Sequence, residues 1–200
     1  MLHACSIRIA DFFVRQEIAI EQQYEMLVYG IELILYTIIS TFGLITIGVL
    51  LNETIQALII IALYYTNQTV GGGKHAKSHL QCFLLMALFL CIGLLLCNLN
   101  IPIEVCMGIM FVSSAYMFFV PLILHPNKRY LVNKEKCFIA RSRKYICGCV
   151  GVFFFCYCLF PSVLNAYSVG LMLSALSRFV AQREQKLRKN DLIDNGIRGA

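Results

Sequence analysis

The sequence predicts an all-α integral membrane protein, and three observations lead to this prediction. The chain is 59% hydrophobic and only 14% charged, with a mean hydropathy of +0.73, whereas a soluble domain carries roughly 25% charged residues. Several apolar runs approach the roughly 20 residues that a helix needs to cross a bilayer. These runs are continuous rather than alternating, which favours spanning helices over the strands of a barrel.

Residues 1–27 predict an amphipathic helix that lies at the membrane surface. Acidic and basic residues interrupt this segment, so it lacks the unbroken apolar stretch of a signal peptide. Large apolar residues nevertheless recur at roughly helical spacing. They are Ile9, Phe12, Phe13, Ile20 and Tyr24.

Apolar segments separated by short polar turns follow, and together they predict about six transmembrane helices in a single membrane domain over 28–182. A basic, polar tail over 183–200 follows this domain. The second segment is short, so whether it spans fully stays open. The segments cover residues 29–51, 55–67, 82–99, 105–124, 145–160 and 166–180.

The distribution of basic residues predicts the orientation. Lys and Arg are concentrated in the loop 125–144 and in the tail, and such regions remain in the cytoplasm. Counting spans back from that loop places residues 71–83 and both termini on the cytoplasmic side. The net charge of +6 therefore reflects orientation rather than nucleic-acid binding. Arg178, near the inner end of the last segment, is expected to snorkel toward the lipid headgroups.

The stretch Gly71–Phe83, GGGKHAKSHLQCF, places reactive side chains at the start of an apolar segment. Ser78 and Gln81 have the spacing of a capping box, which predicts a helix that starts just after Ser78. Cys82 then lies in its first turn, where the helix dipole favours the nucleophilic thiolate. Lys74 and Lys77 add positive charge nearby.

Two histidines are candidates for the base that activates Cys82. His79 is three residues before it, so a helix alone brings the two together. His75 is seven residues before it, and a continuous helix would separate the two Cα atoms by about 10 Å. Glycines over 71–73 allow the chain to fold back and bring His75 closer. Geometry alone leaves this choice open.

Several alternatives compete with catalysis. The stretch can be an ordinary polar turn, and a metal site of His75, His79 and Cys82 would lack a fourth matching ligand. We expect no metal and no cofactor. Glu32 is a carboxylate near the inner end of a span, and such groups are commonly functional. A non-enzymatic transporter or pore needs charges along a path, yet Glu32 stands nearly alone among the spans.

A thiol-based metal or redox sensor is a third class of function. Most of the ten cysteines lie inside apolar segments, where cysteine behaves as a small hydrophobe. We therefore expect them to be packing residues. The pairs that a sensor would use are Cys147 with Cys149 and Cys156 with Cys158.

The motif Gly72-Gly73-Lys74-His75-Ala76-Lys77-Ser78, followed by Cys82, resembles the signature of the AgrB family. These proteins are membrane endopeptidases of Gram-positive quorum sensing that process the AgrD propeptide. The resemblance extends along nearly the whole chain, and its further motifs arrive in the family's order. They are Tyr29-Gly30-Ile31-Glu32, Pro121 with the basic HPNKR segment over 125–129, and Ser168-Val169-Gly170.

The resemblance implies that Cys82 is the nucleophile and that His75, rather than His79, is its base. Cys82 would cleave the propeptide to form an acyl-enzyme thioester, and an internal cysteine or serine of the peptide would close a thiolactone or lactone ring. The family often has an arginine before its glycines, and residues 64–68 lack one. The expected partners are an AgrD-like propeptide and the lipid bilayer of the cell membrane, and a homodimer is compatible with the sequence.

Other residues of the motifs have supporting roles in this interpretation. Our own hypothesis is that Glu32 orients the catalytic histidine. Gly73 and Ser78 are candidates for supporting the geometry of the site. Basic residues on the same membrane face are candidates for binding an acidic cytoplasmic peptide. They are Lys74, Lys77, Lys128 and Arg129.

Overall fold

The computed structural model describes residues 2–16, 23–71, 79–99, 101–120 and 135–198. Within these ranges the chain forms seven α-helices and one short 3-10 helix, Pro161–Val163, which confirms the all-α prediction. The helices are α1 (Leu2–Arg15), α2 (Tyr24–Leu50), α3 (Thr54–Gly71), α4 (His79–Cys97), α5 (Ile103–Phe119), α6 (Glu135–Leu159) and α7 (Leu164–Arg198).

Four stretches of the described chain are helical, long and apolar enough to cross a membrane. Helix α5 is apolar but has only 17 residues. Helix α3 has 18 residues and corresponds to the short second segment of the sequence. Each of the six predicted segments thus contains a helix, and four of these helices reach spanning length. The four stretches are Tyr24–Leu50, Leu80–Cys97, Cys137–Leu159 and Pro161–Leu187.

The chain divides into two compact units, Met1–Ile47 and Gly48–Ala200. In the first unit, the Tyr24 hydroxyl donates a hydrogen bond to Asp11 Oδ1 at 2.6 Å. In one continuous helix, 13 intervening steps would separate these residues by about 20 Å. Helix α1 therefore folds back along α2.

The predicted single helix over 1–27 is thus replaced by two helices. Helix α1 ends at Arg15, and Tyr24 already belongs to α2. The physical reason is that the two stretches need different surroundings. The charged, amphipathic α1 suits an interface, whereas α2 begins an apolar stretch long enough to span lipid.

In the second unit, α7 packs against α3, α4, α5 and α6. Small residues allow the helix axes to approach closely. A Cβ atom added at Gly170 would lie 2.9 Å from Leu63 Cδ1 of α3, and one at Gly93 would lie 3.0 Å from Leu173 Cδ1. Close approach at small residues is typical of helix packing within membranes, where dispersion contacts rather than water exclusion hold helices together.

Arg178 of α7 corrects the prediction that its side chain snorkels. The residue is 2% exposed, and its Nη1 donates a hydrogen bond to the carbonyl oxygen of Met117 at 2.8 Å. Met117 lies in the last turn of α5, where carbonyl groups have no partner within the helix. The guanidinium supplies such a carbonyl with a donor, and its charge suits the negative end of the α5 dipole. This internal acceptor is the reason that the side chain turns inward.

The basic, polar segment that begins at residue 183 had no predicted secondary structure. Helix α7 continues without a break to Arg198. The Arg183 guanidinium lies 5.6 Å from the ring centroid of Phe179, one turn earlier on the same helix. Cation–π pairing of this kind supports helix beyond the apolar part of the sequence.

Candidate active site

Cys82 lies at the fourth position of α4 and is half-buried. The helix begins at His79, the residue that the capping-box pattern predicted to follow the cap. The first N–H groups of a helix have no carbonyl partner within it, and they carry its positive partial charge. The thiol therefore lies at the end of α4 that favours an anion.

The rest of the predicted site lies largely outside the described residues. The choice between His75 and His79 as the base remains a prediction, because the described part of the chain includes neither imidazole. The same holds for the proposed supporting and substrate-binding side chains. Those outside are Gly73, Lys74, His75, Lys77, Ser78, Lys128 and Arg129.

Glu32 lies in α2, where its carboxylate oxygen Oε2 is 3.1 Å from Nδ1 of His3 in α1. The Glu32 side chain is 24% exposed, and that of His3 is 66% exposed. Within the described residues, His3 is thus the histidine that Glu32 contacts. The hypothesis that Glu32 orients the catalytic histidine stays a prediction.

A buried polar cluster joins α3 to α7, and the sequence alone did not reveal it. The Tyr64 hydroxyl of α3 is hydrogen-bonded to Ser177 Oγ of α7 at 3.2 Å, and Gln68 Nε2 donates to the same oxygen at 3.1 Å. Tyr64 is 4% exposed and lies within electrostatic range of Cys82. We call Tyr64, Gln68 and Ser177 the α3–α7 cluster. The four-residue spacing of Tyr64 and Gln68 was its one sequence signal.

Ring packing independently places α3 beside the face of α4 that carries Cys82. The rings of Tyr64 and Phe89 meet edge to face with centroids 6.3 Å apart. Phe89 follows Cys82 by seven residues, or about two helical turns, so both side chains leave α4 on the same side. The face of α4 that carries the thiol is thus turned toward α3.

Two buried acceptor atoms mark the end of α3 that precedes the glycine-rich motif. Asn67 is 3% exposed, and its Nδ2 donates to the carbonyl oxygen of Leu63 at 2.9 Å. Asn67 Oδ1 and Gln68 Oε1 are both buried, and neither has a hydrogen-bond partner among the described residues.

The cysteines are all present as thiols rather than disulfides. Cys149 is part of the core beside Phe153 and Tyr167, whereas Cys147 and Cys158 are exposed on the surface of α6. In the described ranges, no three His, Cys, Asp or Glu side chains are grouped as metal ligands.

Comparison with known proteins gives the family. The family model for accessory gene regulator B matches residues 6–179. A relative from Clostridium perfringens (strain SM101 / Type A), named an AgrB-like protein, is 27% identical over 121 residues. This match covers 58% of the chain and 56% of the relative, so the chain spans little more than half of that protein. No solved structure matches the chain. Because the family model covers most of α1, the apolar helices α2–α6 and the first part of α7, including Cys82, this membrane protein belongs to the accessory gene regulator B (AgrB) family.

Proposed function

We propose that this protein is a membrane cysteine endopeptidase of a quorum-sensing system, with Cys82 as its nucleophile and His75 as its base. Its substrate is an AgrD-like propeptide. The observation that supports this proposal is the position of Cys82, half-buried at the start of α4, directly after the GGGKHAKS motif and beside the α3–α7 cluster. A thiol at the positive end of a helix is favoured as the thiolate.

The reaction proceeds in two acyl transfers. The Cys82 thiolate attacks the scissile carbonyl carbon, and the C–N bond breaks as His75 gives a proton to the departing amine. The part of the peptide that precedes the cut is then held on Cys82 as a thioester. An internal cysteine or serine of that peptide, deprotonated by His75, attacks the thioester carbonyl. The C–S bond to Cys82 breaks, and the peptide leaves as a thiolactone or lactone.

The location of the site at a membrane face suits this chemistry. A thioester keeps the reactivity of its acyl group only while water is excluded, and apolar surroundings reduce hydrolysis. Basic residues of the motif and of the loop 125–144 supply positive charge that suits acidic parts of the peptide. Their excess of positive charge also favours the cytoplasmic side for this face, where a newly made propeptide would arrive.

Co-expression with a candidate AgrD-like propeptide tests the proposal. Wild type should release the C-terminal fragment of the propeptide. The part before the cut should appear as a cyclic product that is lighter by one water than the same part with a free carboxyl group, and mass spectrometry follows both products. Cys82→Ala and His75→Ala should yield neither product, while His79→Ala should yield both. Cys91→Ala is a matched control, because Cys91 is a half-buried thiol of the same helix.

The outcomes separate the parts of the proposal. Cleavage by Cys82→Ala would reject the cysteine mechanism altogether. Loss of cleavage in His79→Ala, with retention in His75→Ala, would transfer the base to His79. A Cys82 adduct of the mass of the acyl peptide, released by hydroxylamine, would establish the thioester.

A further inference from the structure

The last turn of α3 carries two buried oxygen atoms whose hydrogen bonds the rest of the described chain does not supply. They are Asn67 Oδ1 and Gln68 Oε1. Leaving a buried amide oxygen without a donor costs about 1–3 kcal/mol. Folded proteins rarely retain such groups without a ligand, a water or a catalytic step that uses them. Two of them on adjacent residues, at the end of α3 that leads into the motif before Cys82, therefore indicate a binding function.

The nitrogen of each amide already donates one hydrogen bond within the protein. Asn67 Nδ2 donates to the Leu63 carbonyl at 2.9 Å, an atom that can only accept. Gln68 Nε2 donates to Ser177 Oγ at 3.1 Å. Each amide nitrogen thus makes one of its two possible hydrogen bonds, and each amide oxygen makes none within the described chain. A ligand that satisfies the two oxygens must bring hydrogen-bond donors.

The pair is close to the place of reaction. Gln68 shares Ser177 with Tyr64, and Tyr64 lies within electrostatic range of Cys82. The contact between Tyr64 and Phe89 shows that the face of α4 that carries Cys82 is turned toward α3. A peptide attacked by Cys82 must therefore pass near the end of α3.

The charge of the surroundings selects the class of donor. Arg178 follows Ser177 directly, is 2% exposed, and has no ion-pair partner among the described residues. A lysine or arginine side chain would bring a second charge into this buried region, where a charge without a partner is costly. Neutral N–H groups carry no such cost. An extended peptide presents them at regular intervals, and in an apolar setting it must find acceptors for them.

We propose that the amide oxygens of Asn67 and Gln68 accept hydrogen bonds from main-chain N–H groups of the peptide substrate on which Cys82 acts. This inference rests on the proposed function. The two residues bind and position the peptide and take no part in bond breaking. Their loss should therefore raise KM far more than it lowers kcat.

The binding experiment uses the full-length Cys82→Ala protein in lipid nanodiscs, so that peptide is held without being cut. The probe is the same candidate propeptide with a fluorescent label. In a series of probes, single peptide bonds near the cut are replaced by esters, each of which removes one N–H donor. We expect one or two esters to weaken binding about tenfold, the loss expected for one buried hydrogen bond.

Substitutions in the protein complete a double-mutant cycle with the ester probes. Gln68→Met and Asn67→Leu, each in the Cys82→Ala protein, should weaken binding of the all-amide probe about tenfold. In each variant, the corresponding ester should cause no further loss, because its partner oxygen is already gone. Thr69→Val is the matched control, since Thr69 lies in the same turn, is exposed, and donates to the Thr66 carbonyl of its own helix. It should leave probe binding unchanged.

Three results would overturn the inference. One is that no ester weakens binding to the Cys82→Ala protein, a result that depends on no substitution in α3. The second is that the esters weaken binding to the Gln68→Met and Asn67→Leu variants as much as they weaken binding to the Cys82→Ala protein. The third is that both variants bind the all-amide probe as tightly as the Cys82→Ala protein, which is expected if internal water is bound to the two oxygens. Failure of the proposed function looks different, because wild type would then leave the propeptide uncut, or Cys82→Ala would still cleave it.

Discussion

Helices α4 and α7 show opposite relations between hydropathy and burial. The stretch Leu80–Cys97 of α4 has a mean hydropathy of 2.7, and 22% of its residues are buried within the protein. Within the stretch Pro161–Leu187, which includes the first part of α7, an 18-residue window has a mean hydropathy of 1.3, and 67% of its residues are buried. In a water-soluble protein the more apolar helix would be the more buried one. Here the apolar side chains of α4 face outward because lipid is itself an apolar solvent, and the centre of the second unit collects polar groups.

This contrast bears directly on the site. Cys82 belongs to the outward-facing α4, while the α3–α7 cluster beside it belongs to the buried centre. Helix α7 contributes several buried polar residues, of which Ser177 and Arg178 are hydrogen-bonded to other helices. A thiol on the outer helix thus has preorganised polar neighbours on one side and lipid-compatible surface on the other. Those buried polar residues are Ser168, Ser174, Ser177 and Arg178.

Truncating one leucine in each helix should give the largest difference between them. Leu171 of α7 is fully buried, and Leu171→Ala should destabilise the protein by about 3 kcal/mol through the cavity that it leaves. Leu95 of α4 is 69% exposed, and Leu95→Ala should stay within about 0.5 kcal/mol. Loss of helical circular dichroism on titration with sodium dodecyl sulfate measures both. Equal effects would contradict the central position of α7.

Filling the close contact between α3 and α7 should have the next largest effect. A Cβ at Gly170 would lie 2.9 Å from Leu63 Cδ1 and 3.4 Å from Ile60 Cα, so Gly170→Val should cost about 2 kcal/mol by overpacking. Gly151 of α6 has nothing within 4 Å of such a Cβ. Gly151→Val in the same titration should therefore be nearly neutral, and a loss like that of Gly170→Val would disprove the overpacking explanation.

Removing the hydroxyl of Tyr64 tests the α3–α7 cluster. Tyr64→Phe loses the hydrogen bond to Ser177 and should destabilise the protein by about 1 kcal/mol. Tyr157→Phe on the exposed surface of α6 is the matched control and should have no measurable effect. The same titration with sodium dodecyl sulfate measures the stability of both variants. If Tyr64→Phe behaved like the control, the cluster would have no part in holding α3 to α7.

The smallest effect is expected in the first unit. Tyr24→Phe removes the hydrogen bond to Asp11 that ties α1 to the start of α2. This bond is accessible to solvent, so its loss should leave overall unfolding unchanged while α1 opens more often. Limited proteolysis after Arg15, followed by mass, should become faster than in wild type. An unchanged cleavage rate would show that other contacts hold α1.

The sequence predicted the helices more accurately than it predicted their ends. Apolar runs located the membrane segments, because a continuous apolar stretch has few other stable forms in lipid. The division of the first segment into α1 and α2 was missed, since Tyr24 fits the helical spacing of either helix. The secondary structure of the polar tail was not predicted, because polar composition alone cannot separate a solvated helix from an irregular tail, and α7 extends to Arg198.

For the site, the sequence by itself determined that a helix begins at His79 and carries Cys82 near its start, since capping signals and helical spacing are local properties. Only the tertiary structure decided which side chains surround that thiol. Ser177 meets Gln68 across 109 positions of sequence, and Arg178 turns inward to Met117 across 61. Such partners depend on which helix faces pack together, and the sequence of one helix does not specify which helices pack against it.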